Sequence, residues 1–217
     1  SQLARKLTSL CFADKIFFCN SGTEAIESAI KLARKFSFDQ GHPERNEIIT
    51  MHNSFHGRTL GALSATAQKK FHTGFQPLLP GFKYVPFNNI QAVKKAINKK
   101  TCAVLVEPIQ GEGGVNVPDP SYLKNLKSLC KKNDLLLIFD EVQTGFGRTG
   151  KLFAHEIFKT KPDIMTLAKA LGGGVAIGAL AATDRVMKSF VPGTHAATFG
   201  GNPLSCAAAL ATLKVIT

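Results

Sequence analysis

The stretch from Leu135 to Gly174 leaves this chain little freedom in how it folds. It reads LLLIFDEVQTGFGRTG, a short connection, then IMTLAKALGGG. Each half is a short apolar run halted by a charged residue. LLLIF stops at Asp140 and Glu141; IMTLA stops at Lys169, ahead of Gly172, Gly173 and Gly174. Apolar runs this short, bounded by turn residues, suit strands covered on both faces, as in a parallel α/β sheet. Ligands of open α/β sheets sit at the carboxyl ends of the strands. An acid and a lysine delivered there suggest two roles: Lys169 as an amine that forms a Schiff base, and Asp140 as the carboxylate that holds a cationic ring nitrogen. An ordinary strand-end Asp–Lys pair, solvated at the sheet edge, is the other reading of these two residues alone.

The rest of the chain extends the pattern. LARKLTSL is amphipathic and predicts a helix, and KIFFCN, residues Lys15 to Asn20, a short strand. Ser21 then follows as an N-cap, with Glu24 three residues on completing a capping box. Ala25, Ile26, Ala29, Ile30 and Ala33 form the apolar face of the helix it opens. Gly22 at the mouth lets backbone N–H groups approach a ligand, and a helix N-terminus favours an anion. Ser21, Gly22 and Thr23 are therefore candidate phosphate ligands, or simply the start of a well-capped helix. NEIITM predicts a strand feeding the loop HNSFHGRT, which sets Phe55, His56 and Arg58 beside each other. A flat apolar ring near a guanidinium suits a site that stacks an aromatic cofactor and binds a carboxylate through two N–H groups. His56 reads as a supporting residue, since no partner acid lies near it in sequence. Phe71 to Phe87, rich in Pro, Gly and Phe without a period, predicts a covering loop.

NIQAVKKAI predicts a helix, and TCAVLV a strand ending at Glu107 and Pro108 before a glycine-rich loop. That loop is no P-loop, because no GK[ST] follows. Glu107 is either a gating or orienting acid or a solvated carboxylate. DPSYLKNLKSLCKK predicts a further helix, which gives the order βαβαβαβ. With right-handed crossovers this is a mostly parallel central sheet with helices on both faces. Beyond Lys169, GVAIGALAAT predicts a strand and DRVMKSF a short helix. PGTHAATFGGNP then sets Thr198, a candidate phosphate ligand, ahead of an Ala-rich helix. No repeat or linker divides residues 1–217, so one domain is expected.

Bulk composition narrows the function classes. A formal charge of +12 on 217 residues raises the prospect of a nucleic-acid partner. The lysines of KKAINKK and KNLKSLCKK lie along helices and lack the interleaved aromatics of a stacking platform, so a solvated face is expected and no nucleic acid. No apolar run approaches the ~20 residues of a membrane helix, and the start has no apolar signal-peptide region. Cys11, Cys19, Cys102, Cys130 and Cys206 are odd in number and form no CxxC pair, which points to neither a disulfide framework nor a metal site. A reducing cytoplasm is the expected compartment. Both ends fall inside helical patterns, so the chain is expected to be part of a longer protein.

Taken together, NSGTEA, FHGRT, EPIQGEGG, DEVQTGFGRTG, LAKALGGG and TFGGNP occur in this order over nearly the whole chain. The set resembles the class III (subgroup II) pyridoxal-phosphate aminotransferases of fold type I. Phe55-His56-Gly57-Arg58 is similar to the form carried by the acetylornithine/ornithine branch. The resemblance implies an α/β fold type I large domain over residues 1–217, without the N-terminal segment and C-terminal small domain that members, roughly twice as long, carry. It implies pyridoxal 5′-phosphate bound through Lys169, with Asp140 on the pyridine nitrogen and Val142 and Phe55 on the two ring faces. Gln143 would reach the phenolic oxygen, and Gly22 and Thr23 the phosphate. Thr198 would add a phosphate contact from the neighbouring subunit, hence a homodimer with the site at its interface. Lys169, once freed by substrate, would be the base of the reaction. Arg58 would hold the α-carboxylate of N2-acetylornithine, and Glu107 resembles the gating glutamate that pairs with a C-terminal arginine. The implied reaction moves the terminal amine of N2-acetylornithine to 2-oxoglutarate in arginine biosynthesis. Ornithine, succinylornithine, succinyl-diaminopimelate or 4-aminobutyrate as donor stays open, as does a decarboxylase, racemase or aminomutase on the same fold. Ala197 stands where the family more usually has Ser.

Overall fold

The apolar runs become the strands of one sheet in the computed structural model, which describes residues 2–217. In chain order the elements are α1 (Gln2–Leu10), β1 (Lys15–Cys19), α2 (Gly22–Asp39), β2 (Glu47–Met51), α3 (Leu60–Ala65), α4 (Lys69–His72), β3 (Phe82–Val85), α5 (Ile90–Ala96) and β4 (Thr101–Val106). There follow α6 (Tyr122–Lys132), β5 (Leu136–Asp140), α7 (Ala154–Ile157), β6 (Ile164–Leu167), a 3₁₀ turn (Lys169–Gly172), β7 (Gly178–Ala182), α8 (Asp184–Met187) and α9 (Pro203–Ile216). The seven strands lie in the order β1-β7-β6-β5-β4-β2-β3. Pairing is parallel from β3 through β2, β4 and β5 to β6, while β7 runs antiparallel to both β6 and β1. Since β1 and β6 both oppose β7, β7 alone is reversed, and the sheet is mostly parallel as expected.

Side-chain alternation sorts the strands between two helical layers. On β5, Leu136 and Ile138 join Ile26 and Ile30 of α2, whereas Leu137 and Phe139 join Leu123 and Leu126 of α6. On β7, Leu180 and Ala182 face α2, while Ala179 and Ala181 pack with Leu3 and Leu7 of α1 and Leu213 of α9. Each Leu or Ile fully buried in these layers contributes roughly 1.5–3 kcal/mol. Ser21 caps α2 by accepting from Glu24 N at 3.3 Å. The reciprocal arm of the expected capping box lands one residue early: Glu24 Oε2 accepts from Asn20 N at 2.5 Å, not from Ser21.

Two expectations are corrected. The segment from Phe71 to Phe87 is not all loop. Phe71 and His72 finish α4, and Phe82–Val85 form β3, an edge strand paired in parallel register to β2. FKYV fully buries only Val85, so neither an apolar run nor alternation marks it. GVAIGALAAT is strand only from Gly178 onward; the residues before it form a loop. Among the described residues no helix is long and apolar enough to cross a membrane.

Candidate active site

Parallel strands send their carboxyl ends to one edge of the sheet, and the residues that follow them converge there on a cavity of about 560 Å³. Ser21–Thr23 arrive after β1, Phe55–Arg58 after β2, Glu107 after β4, Asp140 at the end of β5, Gln143 from the loop after it, and Lys169 after β6. Because β7 is reversed, the residues that precede it reach the same edge, and Gly174–Ile177 line the cavity too. No local pattern marks that lining, since it depends on the direction of one strand.

Asp140 ends β5 and is 4% exposed. Its Oδ2 accepts from His56 Nδ1 at 2.7 Å; its Oδ1 accepts from Val142 N at 3.0 Å and from Thr166 Oγ1 at 3.2 Å. His56 thus has an acid partner after all, far away in sequence and brought close by the sheet. The His56 backbone N–H donates to Thr66 Oγ1 at 2.8 Å, and Nε2 is buried with no hydrogen-bond partner among the described residues.

Lys169 opens the 3₁₀ turn with φ 45°, in the left-handed region. Such a backbone costs a non-glycine residue on the order of 1 kcal/mol or more and clusters at functional sites. Its Nζ donates to Gln143 Oε1 at 2.7 Å. Val142 stands against the mouth of α2: a Cβ added to Gly22 would come within 2.8 Å of Val142 Cγ1. Glycine is what lets the helix start lie this close to the β5 loop.

Glu107 is 5% exposed, and its carboxylate accepts from Phe55 N at 3.2 Å and Gly111 N at 3.5 Å. Burial pushes its carboxyl up to about 7; the Asp140 charge adds to the rise, while His56 and the two N–H groups oppose it. Arg58 is exposed, with its guanidinium over the rings of Phe55 and Phe71. Thr23 reaches the cavity, but its Oγ1 accepts from the backbone N–H groups of Arg58 and Thr59, both at 3.2 Å. Thr198 lies elsewhere, on a separate cavity of about 400 Å³ with Asn20, Glu24, Ser28 and His195. Glu141, read from the sequence only as a strand stop, turns to α7. It accepts from Ala154 N at 2.6 Å, His155 N at 2.8 Å and Thr144 Oγ1 at 3.2 Å, and burial lifts it to about 7 against those bonds.

The donor set around the main cavity fits pyridoxal phosphate. It offers a lysine amine, a hydrogen-bonded carboxylate, an aromatic ring, and a helix mouth whose first N–H groups, on Gly22 and Thr23, have no intrahelical acceptor. Comparison with known proteins agrees. The family model for class-III aminotransferases matches residues 1–217. The chain is 56% identical over 215 residues to the acetylornithine aminotransferase of Methanocaldococcus jannaschii, covering 99% of this chain and 54% of that one. It superposes with a TM-score of 0.95 and 41% identity on the crystal structure of the ornithine aminotransferase of Toxoplasma gondii, covering 99% of this chain and 52% of that one. An amine transaminase from an uncultivated Pseudomonas species, solved in its PLP-bound form, matches with a TM-score of 0.92 and 29% identity, covering 99% of this chain and 56% of that one. The chain spans about half the length of the curated relatives it matches. With a family model matching residues 1–217 and relatives more than half identical along nearly all of it, the chain belongs to the class-III aminotransferases.

Proposed function

We propose that this chain is the cofactor-binding large domain of an acetylornithine aminotransferase, which moves the terminal amine of N2-acetylornithine to 2-oxoglutarate. The observation that carries the reading is one cavity holding Lys169, Asp140, Phe55 and Arg58 together, in a chain 56% identical to a curated acetylornithine aminotransferase. Pyridoxal 5′-phosphate is the cofactor of this family, and when bound it supplies an electron-withdrawing ring that makes the carbon bearing the amine acidic.

The chain's own residues do the rest. Lys169 Nζ would anchor the cofactor and, once released, would take the proton from the carbon that bears the reacting amine. Asp140, fixed by His56, Thr166 and Val142 N, sets a negative charge against the ring nitrogen. Val142 and Phe55 would pack against the ring faces. Gln143, hydrogen-bonded to Lys169, would reach the phenolic oxygen. The mouth of α2 at Ser21, Gly22 and Thr23 binds the phosphate, Thr23 through its backbone N–H. Arg58 grips the α-carboxylate, which leaves the distal amine to react, and Glu107 acts as a gating acid. Thr198 lies outside the main cavity, which suits a contact to the phosphate of a second copy in a homodimer. An N-terminal segment and a C-terminal small domain would complete the site. A cytoplasmic enzyme of arginine biosynthesis fits this assignment.

The test is the absorption spectrum of the full-length protein with pyridoxal phosphate. A visible band that bleaches with N2-acetylornithine, and is missing in Lys169→Ala, is the expected result. Turnover of Lys169→Ala should fall by ~10³-fold or more. A folded dimer without a band would sink the Lys169 assignment. A band that ignores N2-acetylornithine and responds to ornithine would reassign the donor.

A further inference from the structure

We infer that Phe71 is a specificity-determining residue, whose ring, together with that of Phe55, holds the Arg58 guanidinium ready for a carboxylate. The inference rests on the carboxylate role proposed above for Arg58. The Arg58 Cζ lies 4.3 Å from the centroid of Phe71 and 5.3 Å from that of Phe55, and the two rings meet edge to face at 5.6 Å. Among the described residues the side chain has no ion pair and no hydrogen bond, so these aromatic contacts are what position it. A guanidinium over an aromatic face keeps its N–H donors, which lie in its own plane, free for another partner. Among the described residues its positive charge also has no counter-ion to displace.

The root of the side chain is fixed as firmly as its tip. Thr23 Oγ1 accepts from Arg58 N and Thr59 N, and Thr59 Oγ1 donates to Glu27 Oε1 at 2.5 Å. Glu27 also accepts from Ala62 N at 3.0 Å. Helix α2 therefore holds the Arg58 loop from below while Phe71, on α4, covers the guanidinium. Arginine carries about 2 kcal/mol of rotamer entropy, and holding it beforehand lowers what carboxylate binding must offset. Phe71 is half-buried and belongs to none of the three core clusters, so packing alone gives it little to do. The Lys70 ammonium also lies over its ring, at 4.7 Å.

The experiment uses the full-length holoenzyme and three probes. They are N2-acetylornithine, its decarboxylated analogue, and N-acetylnorvaline, which keeps the carboxylate but lacks the reacting amine. Phe71→Leu, and Phe71→Met as a second variant, should weaken N-acetylnorvaline binding and raise KM for N2-acetylornithine, each by about fivefold to tenfold, with kcat unchanged. Phe71→Tyr, which keeps the aromatic face, should bind as the wild type does. The decarboxylated analogue should react equally well with all of them, and the cofactor band should persist. Equal losses on both amine donors would make Phe71 a packing residue and overturn the inference. So would wild-type binding of N-acetylnorvaline by both ring-removed variants when Arg58→Gln fails to bind it. Wild-type binding by Arg58→Gln would overturn the carboxylate role as well.

Discussion

The carboxyl ends of β4 and β5 deliver Glu107 and Asp140 into the same cavity, both buried, yet the two carboxylates are housed differently. Asp140 is the last residue of its strand, so side chains of neighbouring segments reach it: Thr166 from β6 on one side and His56 from the loop after β2 on the other. With Val142 N, that makes three donors on two oxygens. Glu107 lies one residue past the end of β4 and among the described residues accepts only from the backbone N–H groups of Phe55 and Gly111, the second at 3.5 Å. Burial dominates there, and the proton is held up to about 7. What separates the two is the kind of donor: side chains brought by neighbouring segments fix Asp140 in place, whereas Glu107 rests on two backbone N–H groups. Asp140 is held in one place by three donors, which suits the role proposed for it. Glu107, its carboxyl raised to about 7 by burial, can exchange a proton near neutrality, which suits the gating role proposed for it.

The most damaging way to break this contrast is Asp140→Asn, which keeps the volume and removes the charge. The turnover of the holoenzyme should fall by roughly 10²–10³-fold or more, read as single-turnover bleaching of the cofactor band. Wild-type turnover would show that the three-donor cradle serves folding alone. Glu107→Gln addresses the other half, through stability. Glu107 has an ordinary value of 4.5 and is raised to about 7 by burial, so the folded protein holds a proton that the unfolded chain has lost between those values. Stability from this group is fully present below 4.5 and is lost as pH rises through about 7. Glutamine takes up no proton. Urea unfolding of the cofactor-free protein should therefore favour Glu107→Gln over the wild type more at about pH 8 than at about pH 5, by on the order of 2 kcal/mol. Glu141, also raised, remains in both proteins, so the difference isolates Glu107. An unchanged difference across that range would mean Glu107 is charged in the fold throughout.

Which half of this contrast was legible beforehand follows from how far each signal reaches along the chain. Asp140 and Lys169 stand out because an apolar run and the charge that stops it are neighbours in sequence. The Ser21 cap and the amphipathic face of α2 are equally local. His56 beside Asp140 was not legible, because β4 stands between the strands that carry them and nothing near His56 names its acid. The lining at Gly174–Ile177 follows from β7 running backwards, a fact of topology. Strand β3 escaped because an edge strand that buries one residue of four needs no apolar pattern. Helix mouths and strand ends can thus be read directly, whereas contacts that close across the sheet wait for the fold.

Thr166→Val sharpens the comparison at its finest grain. Thr166 is fully buried on β6, and valine nearly matches its shape, so the change removes one donor from Asp140 and leaves two. Its backbone carbonyl still accepts from Glu141 N at 3.0 Å, and the β5–β6 pairing is untouched. One bond of 3.2 Å among three is worth about 1 kcal/mol, so stability should move by no more than that and turnover by less than ~10-fold. Parallel urea unfolding and single-turnover measurements would read both. A loss as large as that of Asp140→Asn would mean the three donors act as a unit. The rigidity of Asp140 would then come from their joint geometry, and the contrast with Glu107 would lie in arrangement instead of number.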